Sequence, residues 1–126
     1  MSENRSGAAG LHESGELRER ARAALDALRH CELCPRACGV DRVTGELGFC
    51  QVGRMAQVAS ANLHYGEESP LVGTGGSGTI FMAGCNLSCR FCQNYDISHC
   101  TSSTMEVSAK ELAAIMVALQ RRGAQN

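Results

Sequence analysis

Cysteine is the residue that most constrains this chain, which has eight of them in 126 residues. Seven fall into two groups, one between residues 31 and 50 and one between residues 85 and 92. Their overall density is below that of a disulfide scaffold, and the polar N-terminus has no apolar segment of the kind that directs export. We therefore expect a reducing, cytoplasmic setting, in which grouped thiols are more often metal ligands or redox centres than disulfides.

Large apolar side chains are scarce, since the chain has no Trp, two Tyr and three Phe. A chain of this length forms one modest domain or a part of a larger one. The formal net charge of -1 argues against a nucleic-acid or anionic-membrane partner, because both usually need a basic face. No apolar run approaches the roughly 18 residues of a membrane span. We expect neither nucleic acid nor membrane as a partner.

The first part of the sequence is predicted to be a flexible leader over residues 1–13, followed by a helix and a Cys-rich metal-binding segment over residues 14–53. Apolar residues at helical spacing predict an amphipathic helix from Glu16 to about Arg29, with Ser14 as its N-cap. The apolar stripe of this helix needs a surface to pack on. The cysteine-dense stretch that follows is rich in Gly and Pro, so we expect irregular turns there.

The second part, residues 54–126, reads as the start of an α/β core. A short strand is expected within residues 54–64, and a stronger one at about 79–83, whose continuous apolar run is typical of strands buried on both faces in parallel sheets. No strand that could pair with it in parallel follows before the end of the sequence. A cluster loop over residues 84–100 separates this strand from the last element.

A helix at about residues 109–122 has the clearest end signals in the sequence. Ser108 is the expected N-cap, and Glu111 stands three residues later, which is the pattern of a capping box. Gly123 is the expected C′ residue at the other end.

The cysteines after the strong strand, Cys85, Cys89 and Cys92, have the spacing C-x3-C-x2-C. An iron–sulfur cubane ordinarily takes four thiolates, so three on one loop would leave one iron free to bind another molecule. The alternative is a zinc site or an incidental group of thiols.

This loop, with the aromatic Phe91 directly before its third cysteine, resembles the signature of the radical S-adenosylmethionine superfamily. Two longer stretches are similar to its pyruvate formate-lyase-activating-enzyme-like branch: CELCPRACGVDRVTGELGFC and LHYGEESPLVGTGGSGTIFMAGCNLSCRFCQNYDIS. The resemblance covers roughly residues 30 to 122. It implies an N-terminal fragment of the α/β class, namely a Cys-rich metal-binding segment and the first βα unit of an incomplete (β/α)6 partial barrel.

The resemblance also implies roles for individual residues. Cys85, Cys89 and Cys92 would ligate a [4Fe-4S] cluster whose fourth iron is chelated by S-adenosylmethionine, and Phe91 would lie near the adenine. The activity implied is reductive cleavage of S-adenosylmethionine to a 5′-deoxyadenosyl radical. The implied partners are an electron donor such as flavodoxin or ferredoxin and, for an activase, a glycyl-radical enzyme.

Other functions stay open because the later strands of such a barrel have no counterpart in these residues. One is an iron–sulfur or zinc module that binds metal or carries electrons without catalysis. Another is an inactive truncation. Whether the chain is an enzyme is therefore not decided by the sequence.

The upstream group, Cys31, Cys34, Cys38 and Cys50, has the spacing C-x2-C-x3-C-x11-C. Four thiolates within such a short stretch could close a tetrahedral zinc site or hold an auxiliary iron–sulfur cluster. The alternative is a thiol-rich loop that merely lies near the other cysteine group. The spacing does not choose between zinc and iron.

Single residues near these groups have ordinary interpretations. Cys100 lies outside both spacings and is expected to be a free thiol. Three arginines adjoin the cysteines, and although their charge could tune a cluster potential, solvated side chains are the default expectation. These arginines are Arg36, Arg42 and Arg90.

Overall fold

The computed structural model describes residues 7–99 and 104–126. In this part of the chain the architecture is mixed α/β, with a three-stranded antiparallel sheet of strand order β2-β1-β3 and helix α5 in contact with it. The elements in chain order are α1 (Ala8–Glu13), α2 (Glu16–Asp26), a 3-10 turn (Ala27–Arg29), β1 (Ala56–His64), α3 (Ser69–Val72), β2 (Ser77–Met82), α4 (Tyr95–His99), β3 (Met105–Val107) and α5 (Ala109–Arg121).

The central strand β1 pairs antiparallel with β2 over nearly its whole length, with a bulge between Val58 and Ser60. This pairing corrects the prediction that the strand at 79–83 is a parallel strand without a partner. The connection between the two strands, residues 65–76, contains only the single turn of α3. A parallel pair needs a crossover that returns the chain to the same end of the sheet, so a short connection of this kind favours the antiparallel arrangement.

The burial of β2 also differs from the prediction. Its residues are half-buried or exposed, and the strand ends with exposed Phe81 and Met82. The expectation of a strand buried on both faces is therefore wrong, because the sheet has α5 on one side and no matching layer in the described residues on the other. A continuous apolar run does not distinguish these two environments.

The core is small, as the scarcity of large apolar residues predicts. The most buried of its side chains is Val58, at the middle of the sheet, together with Cys31 from the upstream cysteine segment. No helix in the described part of the chain is long and apolar enough to cross a membrane. The buried apolar residues are Cys31, Val58, Val72, Ala83, Val107 and Leu119.

Helix α5 begins and ends at the capping residues that the sequence predicts. The Ser108 hydroxyl accepts a hydrogen bond from the Glu111 N–H at 3.2 Å, and the Ser108 N–H donates to the Glu111 carboxylate at 2.7 Å, which confirms the capping box. At the C-terminus Gly123 adopts φ +106°, and the Ala124 N–H donates to the Leu119 carbonyl at 3.1 Å. These bonds satisfy groups that a helix end leaves without partners.

Replacing Ser108 with Ala is expected to lower the free energy of unfolding by about 1 kcal/mol, the typical cost of losing an N-cap side chain. The measurement is urea unfolding at neutral pH. Lys110→Ala is the matched control, because Lys110 is exposed on the same helix and leaves the cap intact. Equal stability of Ser108→Ala and the wild type would contradict this account of the cap.

The stabilisation by this cap should also depend on pH. Hydrogen bonds from the Ser108 N–H and hydroxyl lower the pKa of Glu111 below its usual value. A carboxylate with a lowered pKa stabilises the fold above the pKa of the unfolded chain, and this stabilisation disappears as the pH falls through the folded pKa. The difference between the wild type and Ser108→Ala should therefore shrink in acid.

The N-terminal helices differ from the prediction in two ways. Helix α1 lies inside the segment predicted as a leader, residues 1–13. Helix α2 begins with Gly15 as its N-cap in the left-handed conformation (φ +83°), so the assignment of Ser14 as N-cap is wrong. The Ser14 hydroxyl donates to the Leu11 carbonyl at 3.1 Å, at the end of α1, and accepts from the Glu16 N–H of α2 at 3.4 Å. The apolar stripe of α2 remains largely exposed in the described structure.

Candidate metal centres

The downstream cysteine loop, residues 85–92, begins directly after β2 and is fixed at its start by two backbone hydrogen bonds. The Ala83 N–H donates to the Gln57 carbonyl at 2.8 Å, which extends the pairing with β1. The Gly84 N–H donates to the Ile97 carbonyl of α4 at 2.8 Å. The loop therefore leaves the end of the sheet and returns against the short helix that follows it.

Cys85 is the thiol of this loop that backbone donors surround most closely. Its sulfur accepts a hydrogen bond from the Leu87 N–H at 3.4 Å. The N–H groups of Ser88 and Leu87 lower the pKa of the Cys85 thiol, in a turn where Ser88 adopts φ +53°. The thiolate is the form that binds metals, so this turn favours a ligand at Cys85.

The other two thiols of the loop differ in their surroundings. The Cys92 sulfur lies 3.2 Å from the Ser98 hydroxyl, which in turn is 2.8 Å from Nδ1 of His99. The His99 ring stacks on Tyr95 with centroids 4.1 Å apart, and this stacking holds the imidazole in place. Cys89 is exposed to solvent. The Cys89 thiol is thus exposed to solvent, whereas the Cys85 and Cys92 thiols are already hydrogen-bonded.

The predicted adenine neighbour, Phe91, has a fully exposed ring. Its position in the loop gives it no role in the core of the described residues. An exposed aromatic ring beside the cysteines is a free surface on which a flat heterocycle could stack.

The upstream cysteine segment contains no helix or strand, and this confirms the predicted irregular turns. Two backbone hydrogen bonds join the ends of its first half, residues 31–40: the Cys31 N–H donates to the Val40 carbonyl at 3.1 Å, and the Gly39 N–H to the Cys31 carbonyl at 3.0 Å. This pairing buries Cys31 almost completely. Between these ends the chain makes a tight turn in which the Ala37 N–H donates to the Cys34 carbonyl at 2.9 Å.

Arg42 lies inside this segment and is only 8% exposed. One of its terminal nitrogens, Nη2, donates to the Cys50 sulfur at 3.3 Å. Burial opposes the charge on Arg42, but the charges and hydrogen bonds of the Cys50 and Cys31 sulfurs raise its pKa overall. The default expectation of a solvated side chain is therefore wrong for Arg42, whereas Arg36 and Arg90 are exposed.

The remaining two thiols of the segment, Cys34 and Cys38, are half-buried. Hydrogen bonds from the Arg36 N–H and the Asn86 side chain lower the pKa of the Cys34 thiol. The Cys38 sulfur lies so close to Gly48 that a Cβ added there would come within 3.0 Å of it. Gly48 lies two positions before Cys50, and its lack of a side chain leaves space for the Cys38 thiol.

The two cysteine segments touch each other. Arg36 donates from Nε to the Asn86 carbonyl at 2.9 Å, and its guanidinium lies 3.6 Å from the centre of the Phe49 ring. A Cβ on Gly84 would come within 2.6 Å of the Cys50 carbonyl oxygen, so the backbones also meet there. A cleft of about 300 Å³ lies along this contact. Its lining residues are Pro35, Arg36, Asn86 and Leu87.

The seven cysteines within the described residues are all free thiols. In the same part of the chain, no three Cys, His, Asp or Glu side chains lie close enough together to hold one metal ion. The donor set nevertheless fits an iron–sulfur cluster in its chemistry, because each segment contributes thiols without disulfides and places hydrogen-bond donors beside them. Cys100 lies outside the described residues.

Some features of this site are not visible in the sequence pattern. The Cys92–Ser98 contact, the bond from Arg36 to Asn86 and the burial of Arg42 all depend on how distant segments fold together. Ser98 and Asn86 are common surface residue types, and arginine is rarely buried. The one signal available was the position of Arg42 between Cys38 and Cys50 in the sequence.

An uncharacterized protein of the archaeon Methanocaldococcus jannaschii is 44% identical to this chain over 75 residues. The matched region covers 60% of this chain and 21% of the relative. The chain therefore spans about one fifth of the length of the curated relative that it matches. No protein-family model matches the sequence, and no solved structure matches it significantly.

Proposed function

We propose that the chain carries the cluster-binding part of an activase-like radical S-adenosylmethionine protein. In this proposal the strand β2 and the helix α5 are the first βα unit of an incomplete (β/α)6 barrel, and the cysteine loop that follows β2, before α4 and β3, is its cluster loop. The observation that carries the proposal is the placement of Cys85, Cys89 and Cys92. All three are free thiols on the loop that directly follows β2.

Cys85, Cys89 and Cys92 would hold the irons of a [4Fe-4S] cluster. When bound, this group supplies one electron to the sulfonium of S-adenosylmethionine, whose reductive cleavage starts radical chemistry. The residues of the loop would bind and orient this cofactor and control the local charge around it.

A donor in the loop would stabilise negative charge on the cluster sulfurs. The Leu87 N–H already donates to the Cys85 sulfur. The Ser98 hydroxyl, which donates to the Tyr95 carbonyl, lies 3.2 Å from the Cys92 sulfur. Hydrogen bonds to ligating sulfurs are among the factors that set the potential of an iron–sulfur cluster. They favour the reduced, more negative state.

Phe91 would contact the cofactor rather than the cluster. Its fully exposed ring stands between Cys89 and Cys92 in the loop and can stack on the adenine of S-adenosylmethionine. The electron would come from a carrier such as flavodoxin or ferredoxin. A glycyl-radical enzyme would be the partner of an activase of this kind.

A second candidate function is an electron carrier with two metal centres and no S-adenosylmethionine chemistry. The contact from Arg36 to Asn86 favours it, because this contact places the two cysteine segments side by side. The two functions differ in one property. The carrier has no open iron that binds a sulfonium compound.

The test is anaerobic reconstitution of the full chain with iron and sulfide, followed by reduction and EPR spectroscopy. We expect S-adenosylmethionine to change the spectrum of the reduced protein, because it binds the iron that lacks a cysteine ligand. 5′-Methylthioadenosine, which lacks the amino and carboxylate groups that would chelate the iron, is the control ligand and should change the spectrum much less. An unchanged spectrum with S-adenosylmethionine would favour the carrier, and uptake of zinc without iron would contradict both functions.

A further inference from the structure

Arg42 is a buried cation whose nearest described partners are sulfur atoms. Its side chain is 8% exposed, and Nη2 donates to the Cys50 sulfur at 3.3 Å. Within residues 7–99 and 104–126, its Nε is the buried side-chain nitrogen or oxygen atom that lacks a hydrogen-bond partner. A guanidinium stays charged under all ordinary conditions, so a buried one requires a compensating negative charge.

Carboxylates do not supply this charge in the described structure. The neighbouring Asp41 carboxylate accepts hydrogen bonds from the N–H groups of Val43 at 2.8 Å and Thr44 at 3.3 Å, and these bonds close a local turn. None of the ion pairs in the described part of the chain includes Arg42. The sulfurs of the upstream segment are therefore the groups that can compensate Arg42.

We propose that Cys31, Cys34, Cys38 and Cys50 bind a tetrathiolate metal centre and that the Arg42 guanidinium is its buried counter-charge. Two occupants share this chemistry, a zinc ion and a [4Fe-4S] cluster in its oxidised resting state. With four thiolates each of them is dianionic. A partly buried dianion requires a cation beside it, and a cation with a free N–H is what Arg42 supplies.

The contacts of two of the four cysteines support this assignment. The Cys50 sulfur accepts a hydrogen bond from Arg42 Nη2 at 3.3 Å. Cys38 lies against Gly48, in the short stretch that leads to Cys50. Among the described residues no three Cys, His, Asp or Glu side chains already lie close enough to hold one ion. The segment consists of turns, so the proposal requires its cysteines to move together when the metal binds, which breaks no helix or strand.

The first test uses a full-length chain with Cys85→Ala, Cys89→Ala and Cys92→Ala, which retains the upstream thiols. Zn²⁺ alone, and iron with sulfide, are added to separate anaerobic samples. Bound metal is measured by elemental analysis, and thiol protection by alkylation with mass spectrometry. We expect one centre per chain and protection of all four upstream cysteines. Uptake of neither metal, or protection of fewer than four, overturns the proposal.

The two samples also identify the occupant. Tight uptake of Zn²⁺ with weak uptake of iron and sulfide assigns a structural zinc site, and the reverse assigns an auxiliary cluster. Because this variant lacks the downstream thiols, its result is independent of the proposed S-adenosylmethionine chemistry. The experiments can therefore contradict the tetrathiolate centre and the S-adenosylmethionine chemistry independently of each other.

The second test addresses Arg42 itself in the same triple variant. Arg42→Met should lower the affinity for the bound metal by roughly 10–100-fold, the usual effect of removing a group that supports metal ligands. Arg42→Lys keeps the charge and should recover part of this loss. Arg54→Met, which changes an exposed arginine nearby, is the matched control and should bind as tightly as the unmodified variant.

Circular dichroism of the metal-free proteins establishes first that each variant is folded. Should Arg42→Met not fold, the comparison is made between Arg42→Lys and Arg42→Gln, which keep and lose the charge. Weaker binding by the uncharged variant supports the counter-charge. Equal affinity of the charged and uncharged variants overturns it.

Discussion

Replacing Cys89 with Ala is expected to prevent binding of the proposed iron–sulfur cluster at the downstream loop. A cubane held by three thiolates already lacks one protein ligand, and two thiolates would be left. The loss of affinity should exceed the roughly 10–100-fold that follows the removal of a mere neighbour of a ligand. The measurement is iron and sulfide content after anaerobic reconstitution, together with the EPR response to S-adenosylmethionine.

Cys89 is the most suitable of the three thiols for this experiment because it is exposed. Surface substitutions usually change stability by only about 0.5 kcal/mol or less, so loss of iron cannot be attributed to unfolding. Cys100→Ala is the matched control, since this cysteine lies outside both spacings. Full iron content and an unchanged response to S-adenosylmethionine in Cys89→Ala would rule out the proposed cluster.

The second large effect is expected from Gly84→Ala, at the contact between the two cysteine segments. Gly84 adopts φ +80°, and a Cβ would come within 2.6 Å of the Cys50 carbonyl oxygen and closer still to the Val52 side chain. The left-handed conformation costs about 1–2 kcal/mol for a residue with a side chain, and overpacking typically adds about 1–3 kcal/mol. We expect a loss of roughly 3 kcal/mol in the free energy of unfolding.

Gly45→Ala separates the two contributions in this prediction. Gly45 also has a positive φ, of +99°, but no atom lies within 4 Å of its added Cβ. It should therefore lose only the conformational part, about 1 kcal/mol. Urea unfolding of both variants measures the difference. If the two variants are equally stable, the segments do not meet at Gly84 as described.

Local chemistry explains which elements were predictable. The ends of α5 depend on Ser108, Glu111 and Gly123, which act within one or two turns of the chain, and their capping bonds are present as expected. The pairing of β2 was not predictable in the same way. Its partner, β1, lies earlier in the chain, and the apolar run of β2 fits an antiparallel strand as well as a parallel one.

The candidate sites show the same division between local and long-range information. The spacing of the cysteines selects the residues, and the structure adds the groups around them. The position of Arg42 between Cys38 and Cys50 places it near the thiols, but its burial could not be predicted, because a charged residue is normally expected at the surface. Its burial depends on the backbone pairing between Cys31 and Val40 and on the return of the chain at Cys50.

The position of Arg36 between the two cysteine segments bears on metal binding at both proposed centres. Its guanidinium covers the Phe49 ring on one segment and its Nε–H donates to Asn86 on the other, so its placement depends on both. If a metal in one segment changes the position of this arginine, the other segment must adjust as well, and the two affinities are coupled. By thermodynamic reciprocity each occupant would then change the affinity of its neighbour by the same factor. In the whole chain, filling one centre should therefore shift the titration of the other.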